Sequence, residues 1–244
     1  MKPCIIIPVY NHEHAIAQVI AKLKPYGIPC LLVNDGSSAA CSAVLQDCAR
    51  LETGWLTLLN RSVNGGKGAA VIDGFNAAQR LGYTHVIQID ADGQHSIEDI
   101  PRFLEAGKLN PEAMILGQPV FDESVPKNRL YGRRVTNFWI VMHTLSQAIA
   151  DGMCGFRLYP LAAVDKLIST TQIARGMDYD IDIVVRLNWQ GVEAVNIPTA
   201  VCYPYDGVSH FRLLQDNVII SKTHARLFFG MLIRIPQLIL RHWQ

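Results

Sequence analysis

Cys4-Ile5-Ile6-Ile7 and Cys30-Leu31-Leu32-Val33 are apolar runs with no polar alternation, the mark of strands buried on both faces. Between them, Ile16, Val19, Ile20 and Leu23 fall on one face of a helix from about Glu13 to Lys24, which Pro25-Tyr26-Gly27 ends. Strand, helix and strand at this spacing form a crossover unit with a parallel pair, and that constrains the chain more than anything else in it. The pattern repeats. A helix near Ser42–Arg50 leads to a strand Trp55–Leu59. A helix Ala69–Leu81 leads to a strand at Val86–Ile89, and a helix Ile97–Ala106 leads to a strand Ala113–Gly117. The class is α/β, with a doubly wound, mostly parallel central sheet flanked by helices.

In such sheets ligands bind outside the carboxyl ends of the strands. Three polar loops fall there: Tyr10–Glu13, Asn34–Ser38 and Asp90–His95. In the last, Val86-Ile87-Gln88-Ile89 runs into Asp90-Ala91-Asp92-Gly93-Gln94. Asp90 and Asp92 are two apart, so their side chains lean the same way. Converging carboxylates suit a divalent cation that prefers oxygen ligands, and Gln94 adds a neutral oxygen. Asn64-Gly65-Gly66-Lys67-Gly68, opening a helix, can turn backbone N–H groups and one lysine charge toward a phosphate.

Several classes drop out. With 22 Lys and Arg against 21 Asp and Glu, the net charge of +1 gives no field suited to nucleic acid. A redox dinucleotide fold needs a glycine-rich turn after the first strand, where this chain has Pro8-Val9-Tyr10-Asn11-His12-Glu13. A Walker A loop is excluded by Arg61 and Gly68. The six cysteines form no CxxC pair and read as reduced core thiols of a cytosolic protein. No signal peptide and no transmembrane run is expected.

The second half is less regular. Gln118–Asn128 reads as a long loop. Arg129, Arg133 and Arg134 open a helix through Phe138, Ile140, Val141, Leu145 and Ile149. Asp151–Arg157 is a glycine-interrupted segment, and helices cover Leu161–Ile168 and Asp180–Trp189. Val192–Ile197 and Ala200–Tyr203 read as short strands. The tail from Leu213 is helical with a break at Pro236.

Pro8-Val9-Tyr10-Asn11, Val33-Asn34-Asp35-Gly36-Ser37-Ser38, Asn64–Gly68 and Asp90-Ala91-Asp92-Gly93-Gln94, in this order, resemble the family 2 glycosyltransferases of the GT-A fold. The likeness is greatest to the dolichyl-phosphate mannose synthase branch, covers roughly residues 3–212, and extends to Asp151–Arg157 and to Gly207-Val208-Ser209-His210, where His210 stands in place of a lysine. The resemblance implies a nucleotide-diphospho-sugar transferase fold over 1–212, with 213–244 a C-terminal amphipathic helical extension. It implies an inverting transfer from a UDP- or GDP-sugar to a lipid-linked acceptor, a polyprenyl phosphate or a glycolipid. The rivals are a soluble or polysaccharide hydroxyl acceptor and a noncatalytic nucleotide-sugar-binding module. Carried over by position, Pro8, Tyr10, Asn11, Glu13, Asp35, Lys67, Asp90, Ala91 and Asp92 bind the nucleotide sugar. Asp90, Asp92 and Gln94 hold Mg²⁺ or Mn²⁺, which neutralises the leaving diphosphate.

The acids of Asp178-Tyr179-Asp180-Ile181-Asp182 stand where relatives carry glutamates, which makes Asp180 or Asp182 a candidate base for a hydroxyl acceptor. Their competing role is structural, at a helix start and as an i,i+4 pair with Arg186. A lipid phosphate is already anionic and needs no base. Arg129, Arg133, Arg157, Ser209 and His210 are the candidates to hold a phosphate acceptor or the diphosphate. In the tail, Leu227–Ile233 with Lys222, Arg226, Arg234 and Arg241 suits a helix pair lying in an anionic membrane surface. That places the protein in the cytoplasm, peripheral on the inner face of a membrane. Packing on the sheet, or a homodimer contact, is the competing use of the tail.

Overall fold

A computed structural model describes residues 1–121, 125, 127–202 and 212–241, with backbone alone over 127–129. The first half follows the crossover pattern: β1 (Pro3–Val9), α1 (Ile16–Leu23), β2 (Cys30–Asp35), α2 (Ala39–Leu51), β3 (Leu56–Arg61), α3 (Lys67–Arg80), β4 (His85–Gln88), α4 (Ile100–Leu109) and β5 (Met114–Phe121). The second half holds α5 (Lys127–Thr144), β6 (Arg157–Pro160), α6 (Leu161–Thr170), α7 (Tyr179–Trp189), β7 (Ala194–Val201) and α8 (Leu213–Arg241). The strands form one sheet in the order β3-β2-β1-β4-β6-β5-β7. All neighbours are parallel except β6, which runs against both β4 and β5.

The two faces of the sheet bury different sets of residues. Ile5, Ile7 and Leu32 pack toward α1, with Ile16, Ile20 and Leu23. Ile6, Leu31 and Val33 pack toward α3, with Ala70, Val71 and Phe75. Period-two alternation of side chains across a two-sided sheet explains why the runs show no polar gaps.

Five expectations change. The helix expected to run through Leu145 and Ile149 ends at Thr144, where Leu145 takes a positive φ of 51°. Gln118–Phe121 is not loop but the end of β5, because β7 lies parallel along its whole length from Met114↔Ala194 to Phe121↔Val201. β7 is one strand through Pro198, which the sequence reading divides into two. β6 has no counterpart in that reading: its four residues include Arg157, a charge in a buried strand. The tail is a single helix continuous through Pro236.

The tail also belongs to the core. Ile220, Leu227, Met231 and Leu238 of α8 are buried in the cluster that includes Ile140 of α5 and Val184 and Leu187 of α7. Between α5 and α8, His143 Nε2 lies 3.0 Å from His224 Nδ1, and Trp189 Nε1 donates to the His143 carbonyl at 2.9 Å.

Candidate functional site

The carboxyl ends of β1, β2 and β4 meet at one edge of the sheet, and their loops are tied together. Asn11, at a positive φ of 53°, donates its N–H to Ser37 Oγ at 3.2 Å, and its Oδ1 accepts from the Ser38 N–H at 2.7 Å. Tyr10 is exposed beside it, Pro8 is partly buried, and Glu13 carries a buried Oε2 with no hydrogen bond.

Asp35, at the end of β2, is 2 % exposed. Its oxygens accept the N–H groups of Gly65 and Gly66, each at 2.9 Å, and it is paired with Arg61. This corrects the expectation for the Asn64–Gly68 loop. A buried carboxylate needs donors, so two of the N–H groups read as a phosphate cradle, those of Gly65 and Gly66, are spent on Asp35, while Ala69 N–H goes to the Arg175 carbonyl. Gly66 has φ of 92° and packs on that same carbonyl, a place where only glycine avoids strain.

Lys67, the first residue of α3, turns inward. Its Nζ lies 2.8 Å from Asp90 Oδ1 and donates to Asp90 Oδ2 at 2.9 Å and Asp180 Oδ2 at 2.6 Å. Burial opposes the lysine charge, but Asp180 and then Asp90 outweigh it and raise its pKa. Burial likewise opposes the Asp90 charge, and Lys67 followed by His95 holds that carboxyl far below the usual range. Asp180 Oδ1 accepts from Gln88 Nε2 at 3.2 Å. Arg157 Nη1 donates to the Asp180 carbonyl at 2.8 Å and to Tyr159 Oη at 2.9 Å, and sits 3.5 Å from Asp180 Oδ1. Gln88 and Arg157 are cross-strand partners on β4 and β6, so the sheet itself supplies the floor under Asp180.

Asp92 lies at the rim, partly exposed, its Oδ1 accepting the Gln94 N–H at 3.0 Å. Gln94 is partly buried and Ala91 is buried. Among the described residues no group of three His, Cys, Asp or Glu is gathered around one point. The donors nevertheless fit a hard cation: the partly exposed Asp90 carboxylate meets only the cations Lys67 and His95, and the partly exposed Asp92 follows two residues on.

Of the other acids and arginines, Asp182 takes the i,i+4 pairing with Arg186 that the sequence offers as its competing role. Asp182 is wholly buried and accepts from Ala174 N–H at 2.8 Å and Arg186 Nε at 2.7 Å, with Arg226 at 3.2 Å. Arg157 is fully buried under Asp180. Arg133 pairs with Asp151 at 2.7 Å and stacks over Phe121 at 5.0 Å, tying α5 to the Asp151–Arg157 segment. The Arg129 side chain, Ser209 and His210 lie outside the described residues.

Three participants are given no role of their own in the sequence reading. Gln88 is a polar residue in an apolar strand, a visible signal left unused. His95 is nearly buried, 3.6 Å from Asp90 Oδ2, and packs against Phe156. Gly155 faces the Asp90 carboxylate so closely that any Cβ there would collide with it.

The family model described as Glycosyl transferase family 2 matches residues 4–168. The polyprenol monophosphomannose synthase of Mycolicibacterium smegmatis is 26% identical over 211 residues, covering 84% of this chain and 79% of that protein. The undecaprenyl-phosphate mannosyltransferase of Micrococcus luteus is 24% identical over 212 residues, covering 81% and 82%. Among solved structures, the glucosyl-3-phosphoglycerate synthase of Mycobacterium tuberculosis with Mn²⁺, UDP and phosphoglyceric acid superposes with a TM-score of 0.68 at 13% identity, covering 94% of this chain and 78% of that one. The likeness of the solved structure is one of fold.

Proposed function

Because the chain belongs to glycosyl transferase family 2, we propose that it transfers a sugar, with inversion, from a UDP- or GDP-sugar to a polyprenyl phosphate at a membrane surface. The observation that carries this reading is the carboxylate pair Asp90 and Asp92 at the carboxyl end of β4, both partly exposed, with Asp90 held against Lys67. The mannosyltransferase relatives, whose names carry polyprenyl phosphates, point to the acceptor class.

The placement supports the following roles. Pro8, Tyr10, Asn11 and Glu13 form the wall against which a base and ribose lie, and Asp35 holds the neighbouring loop in place through Gly65 and Gly66. Asp90, Asp92 and Gln94 would hold Mg²⁺ or Mn²⁺, which supplies counter-charge to the departing nucleoside diphosphate. A phosphate oxygen of the acceptor attacks the anomeric carbon as the bond to the diphosphate breaks. That oxygen is already anionic, so no proton has to be removed. This agrees with the state of the two candidate bases: Asp180 is bound to Lys67 and Gln88, and Asp182 is enclosed. Arg175, exposed on the loop that abuts the start of α3, is a cation at the rim.

The membrane contact falls to α8. Its inner face is buried, while Leu214, Val218, Phe229, Ile233 and Leu240 are exposed on the other side. Among the described residues no helix is long and apolar enough to cross a membrane. An apolar outer face with the exposed Lys222 on the same helix suits the surface of an anionic bilayer.

Thermal-shift screening of UDP-, GDP- and dTDP-sugars with Mn²⁺ tests the donor site. One base is expected to raise Tm, and Asp92→Ala to cancel the rise. A rise that survives Asp92→Ala and EDTA contradicts the metal assignment.

A further inference from the structure

Two carboxylates share one ammonium beneath the proposed metal site. Lys67 Nζ is within 2.9 Å of both Asp90 oxygens and 2.6 Å from Asp180 Oδ2. Asp90 is thus asked to do two things, to pair with Lys67 and to ligate a cation. A divalent ion at Asp90 brings two positive charges within a few ångströms of Nζ, and the like charges repel steeply in a poorly solvated site. Lys67 needs a second anion to lean on, and Asp180 is that anion.

Asp180 is built to stay in place. Gln88 Nε2 fixes its Oδ1, Arg157 Nη1 fixes its backbone carbonyl, and both come from paired strands of the sheet. Its side chain is 8 % exposed, against 22 % for Asp90. One end of the ammonium's reach is therefore rigid and internal, the other open to the site.

Resting on the proposed metal-dependent reading, we propose that Asp180 is a positioning residue that acts through Lys67: it draws the ammonium off Asp90 and so frees that carboxylate to accept a divalent cation. Lys67 is the resident counter-charge of Asp90 when the cation is away. In this role the Asp180 carboxylate works through its bonds to Lys67 and Gln88.

The test is Mn²⁺ binding alone, followed by the loss of the free-ion paramagnetic resonance signal, with no substrate and no turnover. In Asp180→Asn the ammonium leans wholly on Asp90, and the Mn²⁺ Kd is expected to rise roughly fivefold or more, the scale of losing one close charge partner. Lys67→Met removes the competitor, so Mn²⁺ is expected to bind Asp90 at least as tightly as in the wild type. The double variant Asp180→Asn with Lys67→Met is expected to bind like Lys67→Met, the Asn penalty having vanished with the lysine. Circular dichroism confirms that each variant is folded. Should Lys67→Met not fold, Asp180→Asn with Lys67→Gln serves, since glutamine keeps a donor without the charge. Wild-type affinity in Asp180→Asn overturns the inference while leaving the metal reading intact. A penalty that persists in the double variant also overturns it. Failure of wild-type protein to bind Mn²⁺ overturns the metal reading and the inference with it.

Discussion

Asp182 and Arg186, one turn apart on α7, form a 2.7 Å ion pair whose carboxylate is wholly buried. The same carboxylate accepts the Ala174 N–H and meets Arg226 of α8, so it joins three segments behind the site. Asp182→Asn is therefore expected to cost stability rather than chemistry. Removing one charge of a buried network costs roughly 3–5 kcal/mol. The urea midpoint should fall while kcat of the folded protein stays within a few-fold of wild type. A selective loss of kcat with unchanged stability would return Asp182 to the list of bases.

The histidine pair between α5 and α8 makes stability depend on pH. Burial, followed by the charge of His224, holds His143 down at about 4, and burial lowers His224 as well. The unfolded chain, with histidines near 6.5, binds more protons than the folded one between those values. Stability is thus complete above about pH 6.5 and is lost as pH falls toward 4, by about 3 kcal/mol for His143 alone. Urea midpoints across this range check the slope, and His224→Phe should flatten it. An unchanged slope in that variant would remove the pair from the account.

Much of this arrangement was legible in the chain itself. The apolar runs of β1 and β2 and the polar loops that follow them fix the sheet edge where the site lies. Asp90 and Asp92 stand out because two charges at a strand end need a reason. What stayed hidden depends on contacts between distant residues. Asp180 meets Lys67 across 113 positions, and nothing in the acids of α7 tells which faces the site and which is enclosed. β6 was hidden because Arg157 looks like a loop residue until Asp180 and Tyr159 are seen around it. The Arg133 charge likewise looks available until Asp151 is found beside it.

The outer face of α8 is expected to bind anionic vesicles. The full chain should float with liposomes containing acidic lipid, and flotation should weaken as salt rises. Phe229→Asp with Ile233→Asp places two charges on exposed positions without touching Leu227 or Met231 in the core. This variant should stay folded and stop floating. Flotation unchanged by it would move the membrane contact elsewhere, and a drop from dimer to monomer in the same variant would assign the face to a second copy.

The most direct measurement is transfer itself. Purified protein with Mn²⁺, radiolabelled UDP- or GDP-sugar and a polyprenyl phosphate should release the nucleoside diphosphate and move label into an organic-soluble polyprenyl phosphate sugar. Asp92→Asn should lower kcat/KM by roughly 10²-fold or more, the scale of losing a counter-charge at the leaving group. Label that passes only to a soluble hydroxyl acceptor, or transfer that Asp92→Asn leaves unchanged, would contradict the account.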